Sequence, residues 1–427
     1  MQTQSSTRRI APRGACLAAA LAVAASLAGA KEKTNMYRFT VEAGEVERLD
    51  TPVCVELAGT LEPFAAAPCR LEELAAEGRR SPVPCQVEAG PPPRVWFILA
   101  GKTPKGARRT FELTPAAGQA AKAPAVTAER GEKSLDVSVG GAKVLRYNHA
   151  VVEPPAGQSP LYRRSGFIHP LWSPAGEVLT NIHPKDHIHH MGLWGAWTHT
   201  VFEGRKVDFW NIKDGKGTVR FVDFASVTGG PVFGGFVARQ DHVDLKAPNG
   251  GEKVALHERL DVRVWNVGGP AGGWWLVDYV STQRCATESP LELPAYRYGG
   301  PLGFRATADW KFGQADYLTS EGKTRKDGHG TRGRWCAAFG PTAKGPAGIA
   351  FLSSPANHEH PEPMRLWPDK DIFFNFCPVQ QADWALKPGA DYVFRYRFHV
   401  FSGRPSAETA DRFWQDFARP PKVAPAR

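Results

Sequence analysis

Apolar and polar residues alternate over short runs along most of the chain, a pattern that predicts β-strands. The clearest run covers residues 391–401, where every second side chain is aromatic or aliphatic: Phe394, Tyr396, Phe398 and Val400. The positions between them are polar, which predicts a half-buried antiparallel strand with Arg395, Arg397 and His399 on its solvent side. The runs 135–139 and 274–280 are predicted to be strands for the same reason.

Turns and one helix complete this pattern. Glycine (43 residues) and proline (36 residues) separate the runs as turn formers. Helical spacing is clearest at 406–417, where Ser406 is a predicted N-cap and one face carries Ala410, Phe413, Trp414 and Phe417. We expect this helix to brace the sheet, so the chain is predicted to be all-β with a short C-terminal helix.

One carboxylate interrupts an apolar strand face. In the run 254–265, Glu258 shares its face with Leu256 and Leu260. A carboxylate in such a place is either paired or functional. Pairing with an arginine at the margin of the sheet is the simpler interpretation.

The first thirty residues have the layout of a secretory signal peptide. Three arginines at positions 8–13 precede the apolar run 15–28, and Ala28-Gly29-Ala30 predicts cleavage after Ala30. The apolar run is shorter than the roughly 20 residues that cross a bilayer. We therefore expect a periplasmic or extracellular protein without a membrane span.

The remaining length, roughly 400 residues, suits two β-domains or one very large sandwich. A Pro/Ala/Lys-rich stretch at 115–125 is a predicted linker between an N-terminal β-domain (31–114) and a larger β-domain (126–405). The C-terminal helix and tail occupy 406–427. Nothing in the pattern predicts an oligomeric state.

Charge and cysteine content exclude some functions. The net charge of +10 is spread along the chain, without a basic block interleaved with aromatic residues, so we expect no nucleic-acid partner. The cysteines beyond the leader fit no Cys-x-x-Cys pattern, which leaves disulfides and buried thiols both open. No serine-nucleophile elbow, Walker loop or dinucleotide fingerprint occurs in a suitable strand-turn-helix context.

The segment 183–199 is unusually rich in histidine. If it is extended, His187 and His189 point to the same side. Two converging imidazoles could hold a divalent metal such as Zn, Mn, Fe or Ca. Candidates to complete or orient such a set are Asp186, His190 and His183. The alternative interpretation is a polar turn whose imidazoles bond to the backbone.

A second cluster at 357–362 repeats this spacing. His358 and His360 are further candidate metal ligands, and Glu359 between them is a candidate catalytic carboxylate. The two clusters form one site if their loops converge. An independent surface loop is the alternative.

Several aromatic and arginine side chains near these clusters suit carbohydrate. Sugar rings stack on aromatic faces, and arginine binds hydroxyl or anionic groups. Core packing is the alternative for each tryptophan. The candidate substrate-binding residues are Trp194, Trp210, Tyr298, Arg305, Arg365 and Trp367.

The string Asp186-His-Ile-His-His-Met-Gly-Leu-Trp194, together with Asp208-Phe-Trp210 and Gly303-Phe-Arg305, resembles the motif Asp-His-Pro-His-His-Arg-Gly-Leu-Trp. That motif belongs to a secreted bacterial family of unknown function catalogued as PmoA, or methane oxygenase. The resemblance covers about 144–403, and the chain departs from the motif at Ile188 and Met191. A membrane-helical methane monooxygenase does not fit a chain without a spanning segment.

This resemblance implies a large antiparallel β-supersandwich similar to galactose mutarotase, a fold whose relatives bind, epimerise, cleave or eliminate sugars. With the residues above, it predicts a carbohydrate lyase or hydrolase in which His187 and His189 act as acid and base or bind a metal. Asp186 and Glu359 would assist them. A non-catalytic carbohydrate-binding or envelope protein and a soluble metal-dependent oxidoreductase are the alternatives.

Overall fold

The computed structural model describes residues 36–57, 61, 64, 68–75, 78–116 and 125–426. The predicted signal peptide (1–30) lies outside the described residues, as does most of the predicted linker. The boundary between two β-domains therefore stays a prediction.

Strands dominate the described residues, which contain 29 strands and two α-helices. The helices are α1 (Gly269–Gly272) and α2 (Ala407–Ala418). In chain order the strands are β1 (Tyr37–Glu42), β2 (Arg48–Glu56), β3 (Cys69–Leu74), β4 (Arg80–Val83), β5 (Cys85–Glu88), β6 (Arg94–Thr103), β7 (Arg108–Pro115), β8 (Val126–Arg130), β9 (Ser134–Val139), β10 (Ala142–Asn148), β11 (Phe167–Leu171), β12 (Leu193–Ala196), β13 (Thr200–Phe202), β14 (Arg205–Val207), β15 (Gly217–Thr228), β16 (Phe233–Asp244), β17 (Lys253–Trp265), β18 (Trp274–Cys285), β19 (Leu291–Leu293), β20 (Gly300–Arg305), β21 (Asp316–Thr319), β22 (Arg332–Gly333), β23 (Trp335–Gly340), β24 (Ala347–Ser353), β25 (Glu362–Leu366), β26 (Phe373–Phe376), β27 (Trp384–Leu386), β28 (Tyr392–Ser402) and β29 (Lys422–Pro425).

Two large antiparallel sheets share one hydrophobic core. The first has nine strands in the order β22-β25-β26-β20-β12-β11-β10-β9-β8, and the second has eight in the order β15-β16-β17-β18-β28-β24-β23-β21. Buried side chains from both sheets form one continuous cluster, as expected when two sheets pack face to face. A small sheet, β14-β13-β19-β27, adjoins this core.

The N-terminal strands form two further sheets, β29-β1-β7-β3-β4 and β2-β6-β5, around a cluster of their own. The last strand, β29, pairs with β1, so the C-terminus completes the N-terminal sheet. Five cysteines are free thiols: Cys54, Cys85, Cys285, Cys336 and Cys377. The sequence-based prediction of an all-β fold, with a smaller β-region before a large sandwich and a short C-terminal helix, is confirmed.

Helix α2 changes the expected environment of β28. Ser406 caps the helix by accepting a hydrogen bond from the Thr409 amide, as predicted. The helix packs on the face of the sheet that was expected to meet solvent, and Arg397 and His399 are buried beneath it. The predicted exposure of the polar side of β28 is therefore correct for Arg395 and wrong for Arg397 and His399, because α2 covers those two.

Glu258 also lies deeper than expected. Its strand, β17, is in the middle of the eight-stranded sheet, so the carboxylate is buried rather than marginal. Its partners are Ser281, whose hydroxyl donates at 2.5 Å, and His242, whose Nε2 lies 2.9 Å away. The expected arginine partner was wrong, and a buried hydrogen-bond network takes its place.

None of the helices in the described ranges is long and apolar enough to cross a membrane.

Candidate functional site

The histidine-rich segment forms a compact turn between β11 and β12. The amide of His187 bonds to the carbonyl of Pro184 at 3.1 Å, and the amide of His190 bonds to that of His187 at 2.9 Å. A bridge between Ile182 and Met191 closes the turn. The segment is therefore not extended, because local backbone bonds fold it into turns.

The turn nevertheless brings three imidazoles together. The ring centroid of His187 is 5.7 Å from that of His189 and 4.9 Å from that of His190, and the latter two are 4.7 Å apart. Burial lowers the pKa of each ring, to about 3 for His189 and well below its usual value for His190. Burial is the largest cause, and the neighbouring imidazoles act in the same direction on His189 and His190. All three rings are therefore neutral near neutral pH, the state that accepts a proton or binds a metal.

Asp186 and Arg305 hold His187 in place. The Nδ1 of His187 lies 3.2 Å from a carboxylate oxygen of Asp186 and donates to it. Arg305 donates to both oxygens of the same carboxylate at 2.9 and 3.0 Å, and its guanidinium lies over the ring of Trp367. Asp186 thus fixes the orientation of the ring and leaves Nε2 of His187 as the proton acceptor.

Aromatic rings pack around His190. Its ring stacks on Phe373 at 4.9 Å and lies 5.1 Å from Trp194 and 5.7 Å from Trp367. Trp194 is fully buried and packs on Trp210, so it supports the site from the core. Trp210, Trp367 and Phe373 lie in the wall of the cavity, where Trp210 and Phe373 are almost fully buried and Trp367 keeps a small exposed surface.

The cavity has a volume of about 450 Å³ and lies among loops that leave the nine-stranded sheet. Seven of the predicted site residues line it: His187, His189, His190, Trp210, Tyr298, Arg365 and Trp367. The remaining lining residues are Asn211, Lys213, Arg297, His329, Pro368, Asp369, Lys370 and Phe373. Asn211 and Lys213 were not selected from the sequence as site residues, although they directly follow the Asp208-Phe-Trp210 motif.

Asp208 organises that part of the wall. One of its carboxylate oxygens accepts hydrogen bonds from the amides of Trp210 and Asn211, both at 2.9 Å. The Asn211 side chain donates to the hydroxyl of Tyr298 at 3.0 Å. Ile212, next along the chain, has a φ of 43°, an uncommon conformation for a β-branched residue. Strain of this kind is often found at functional sites.

The second histidine cluster does not reach this cavity. His358 stacks on Trp384 at 3.8 Å, and His360 lies parallel to the ring of Trp414 at 6.0 Å. Glu359 accepts a hydrogen bond from Arg332 at 2.5 Å. The structure therefore places the two clusters at different positions, and the second has bonding partners of its own.

The residues do not form a preorganised metal centre. Within the described ranges, no group of three or more His, Cys, Asp or Glu side chains is arranged to hold a metal ion. His183 lies outside the cavity lining and uses Nδ1 to bond the carbonyl of Ile188 at 2.8 Å, while its Nε2 is buried without a partner. The expected divalent metal stays a prediction, and no step below depends on it.

Gly192 allows the histidine turn to join β12. Its φ is +67°, and a Cβ atom there would lie 2.4 Å from the carbonyl oxygen of Ile168. We expect Gly192→Ala to lower the free energy of unfolding by about 2 kcal/mol, measured by urea denaturation. The control is Gly204→Ala, where φ is +74° and nothing lies within 4 Å of the added atom; it should cost only about 1 kcal/mol. Equal losses would contradict a role for the contact with Ile168.

Comparison with known proteins gives a family but no activity. A family model described as "Family of unknown function (DUF6807)" matches residues 134–415. No curated protein sequence matches the chain significantly.

Two solved structures match the chain over part of their own length. One is a protein in the glycosyl hydrolase family 38 from Enterococcus faecalis, with a TM-score of 0.44 and 10% identity over 92% of this chain and 48% of that one. The other is a heparan sulfate lyase from Pedobacter heparinus, with a TM-score of 0.26 and 11% identity over 69% of this chain and 38% of that one. The chain spans less than half the length of either structure, and similarity at this level carries no argument about activity.

Proposed function

Because the chain belongs to DUF6807, a family of unknown function, its activity has to be inferred from its own cavity, and we propose that it is a carbohydrate lyase. The observation that carries the proposal is the meeting of three neutral imidazoles with aromatic rings in one cavity. The same cavity has only one carboxylate among its described lining residues.

The size and surface of the cavity support a sugar ligand. A volume of about 450 Å³ is within the usual range of small-molecule sites. Trp367 and Tyr298, the aromatic lining residues that keep some exposed surface, can meet the C–H groups of a sugar ring. Tyr298 and Asn211 offer hydrogen bonds to its hydroxyl groups.

The carboxylate count favours elimination over hydrolysis. Most glycoside hydrolases use two carboxylates that flank the scissile bond. Here Asp369 is the single carboxylate in the described lining. Asp186 lies outside the cavity lining and is bonded to Arg305. A neutral imidazole can instead remove a proton from the carbon beside a carbonyl group.

In the proposed reaction, Nε2 of His187 takes the proton from the carbon next to the carbonyl group. The electron pair of that C–H bond forms a C=C bond as the C–O bond to the leaving sugar breaks. The leaving oxygen then receives the proton from the His187 imidazolium. The products are an unsaturated sugar and an alcohol, so no oxidant, reductant or water is consumed.

The test is to incubate the protein with a panel of oligosaccharides and polysaccharides and to follow two signals. New reducing ends report any chain cleavage, and ultraviolet absorbance reports the conjugated C=C bond that only elimination creates. We expect both signals to rise together. Reducing ends without absorbance would overturn the lyase in favour of a hydrolase, and binding without either signal would favour a carbohydrate-binding protein.

Metal involvement is tested in the same assay. The metal content of the protein and of a His187→Ala/His189→Ala variant is measured by plasma mass spectrometry, and activity is measured with a chelator. Metal-independent catalysis predicts full activity with chelator. Loss of activity that one added divalent metal restores would support a metal at the histidine cluster instead.

We also propose that the protein works outside the cytoplasm. The argument is the predicted leader at 1–30, which lies outside the described residues. N-terminal sequencing of the protein recovered from a periplasmic fraction should give a mature chain that begins at Lys31.

A further inference from the structure

We infer that the sugar unit bound in the cavity carries a carboxylate, so that the substrate is an oligosaccharide containing a uronic acid. This inference rests on the proposed lyase function and specifies its substrate class. The observation behind it is an excess of positive charge at the cavity. Four cationic side chains line the cavity, against the single carboxylate of Asp369: Lys213, Arg297, Arg365 and Lys370.

These four cations lack the carboxylate partners that neighbouring cations have. Just outside the cavity, Lys311 pairs with Asp371 at 3.3 Å, and Arg332 pairs with Glu359 at 2.5 Å. Among the described residues, none of the four cavity cations forms an ion pair. Cations collected in a concave site without counter-charges attract an anionic ligand.

Arg365 is the best-placed of the four. It lies on β25, in the sheet rather than on a mobile tip, and its Nε is buried without a hydrogen-bond partner among the described residues. One of its terminal nitrogens lies 3.1 Å from Nε2 of His329, which leaves the other terminal nitrogen for a ligand. The terminal nitrogen without a partner among the described residues can donate a charge-assisted hydrogen bond to a carboxylate oxygen.

A second cleft extends the site. It has a volume of about 620 Å³ and shares Arg297 and His329 with the first cavity. Tyr296, Gln380 and Gln381 supply a ring face and amide groups along it. The cavity and the second cleft adjoin each other and suit neighbouring units of an oligosaccharide, with Arg297 between them.

A carboxylate also meets the requirement of the chemistry. Elimination needs an acidic C–H bond, which a sugar without a carbonyl group lacks and which a uronic acid has beside its carboxylate. Removing that proton adds negative charge to the carboxylate oxygens, and a guanidinium bonded to them stabilises that charge. The guanidinium that binds the substrate would then also lower the activation barrier of the elimination.

The test compares binding of three disaccharides by isothermal titration calorimetry. The first contains glucuronic acid, the second is the same molecule with its carboxylate reduced to CH₂OH, and the third is the reduced molecule with a sulfate ester. The wild-type protein should bind the first at least about tenfold more tightly than the second, a difference equivalent to one charge-assisted hydrogen bond. It should also prefer the first to the third.

Two variants locate the effect. Arg365→Gln should remove most of the preference for the carboxylate, and Arg365→Lys should restore part of it, because charge returns without the planar fork. Lys311→Gln removes a cation outside the cavity lining and should retain the wild-type preference.

The outcomes separate this inference from the lyase proposal. Equal binding of the acidic and reduced sugars, with elimination still seen on a neutral keto sugar, would overturn the carboxylate and leave the lyase standing. Equal binding of the carboxylated and sulfated sugars would show a general anion site and overturn the uronic acid. Failure of all three sugars to bind, with no elimination on any panel member, would overturn both proposals.

Discussion

Replacing His187 with alanine should lower turnover of the sugar identified by the panel by a factor of about 10² to 10⁴, the usual contribution of a general base. His187 lines the cavity, its Nδ1 is held by Asp186, and its Nε2 forms no hydrogen bond among the described residues. Its side chain is 29% exposed, so removing it should leave the fold intact. Turnover is measured by the absorbance of the unsaturated product, and folding by circular dichroism.

The matched control for this variant is His358→Ala. His358 has the same His-x-His spacing but stacks on Trp384 away from the cavity. It should keep wild-type turnover. If the two variants lose activity equally, or if His187→Ala keeps full turnover, the proton acceptor is a different group and the assignment of His187 is wrong.

Burial of His187 also predicts how the rate of the reaction depends on pH. Burial lowers the pKa of His187 below 6.5, and Asp186 opposes this effect only in part. Because the neutral ring is the active form, kcat/KM should fall on the acid side with a midpoint below 6.5 and stay level above it. A midpoint well above 6.5 would contradict a neutral, partly buried base.

The sequence predicted the fold well where local pattern determines structure. Alternation identified β28, and the Ser406 cap identified α2. The prediction from the sequence failed where elements distant along the chain determine which side chains are buried. Arg397 and His399 occupy polar positions of an alternating strand, yet both are buried, because a helix that begins eight residues after His399 folds back over them.

The site could be predicted only in part, because its walls also depend on elements that are distant along the chain. The density of histidine at 187–190 identified its centre, but its walls come from distant segments. Pairing of β12 with β20, and of β20 with β26, brings these segments together across more than a hundred residues. Lys370 and His329 lie on loops with no pattern of their own. Spacing alone also selected His360 as a candidate ligand, which the structure places against Trp414.

Replacing His399 with phenylalanine should make the protein markedly less sensitive to acid. The ring of His399 is buried between β28 and α2, with Phe413 at 4.1 Å and Phe401 at 5.3 Å. Burial, assisted by the positive charge of Arg412, lowers its pKa from 6.5 to about 3. The folded protein therefore keeps this ring neutral over a pH range in which the unfolded chain binds a proton.

The sign follows from proton linkage. Above 6.5 neither state is protonated at this ring, so its contribution to stability is fully present. As the pH falls, the unfolded chain gains a proton that the folded protein does not, and stability is lost at about 1.4 kcal/mol per pH unit. By about pH 4 the loss due to His399 should reach about 3 kcal/mol.

Urea unfolding at a series of pH values measures this difference. The free energy of unfolding of His399→Phe should fall less than that of the wild type between neutral pH and about pH 4, by about 3 kcal/mol. The control is His149→Phe, a part-exposed ring that also packs on two phenylalanines, Phe221 and Phe224. This control should retain the wild-type pH dependence. If the wild-type and His399→Phe curves are parallel, His399 titrates equally in the folded and unfolded states. Only an accessible ring can do so, and α2 would then open to admit the proton without unfolding of the sandwich.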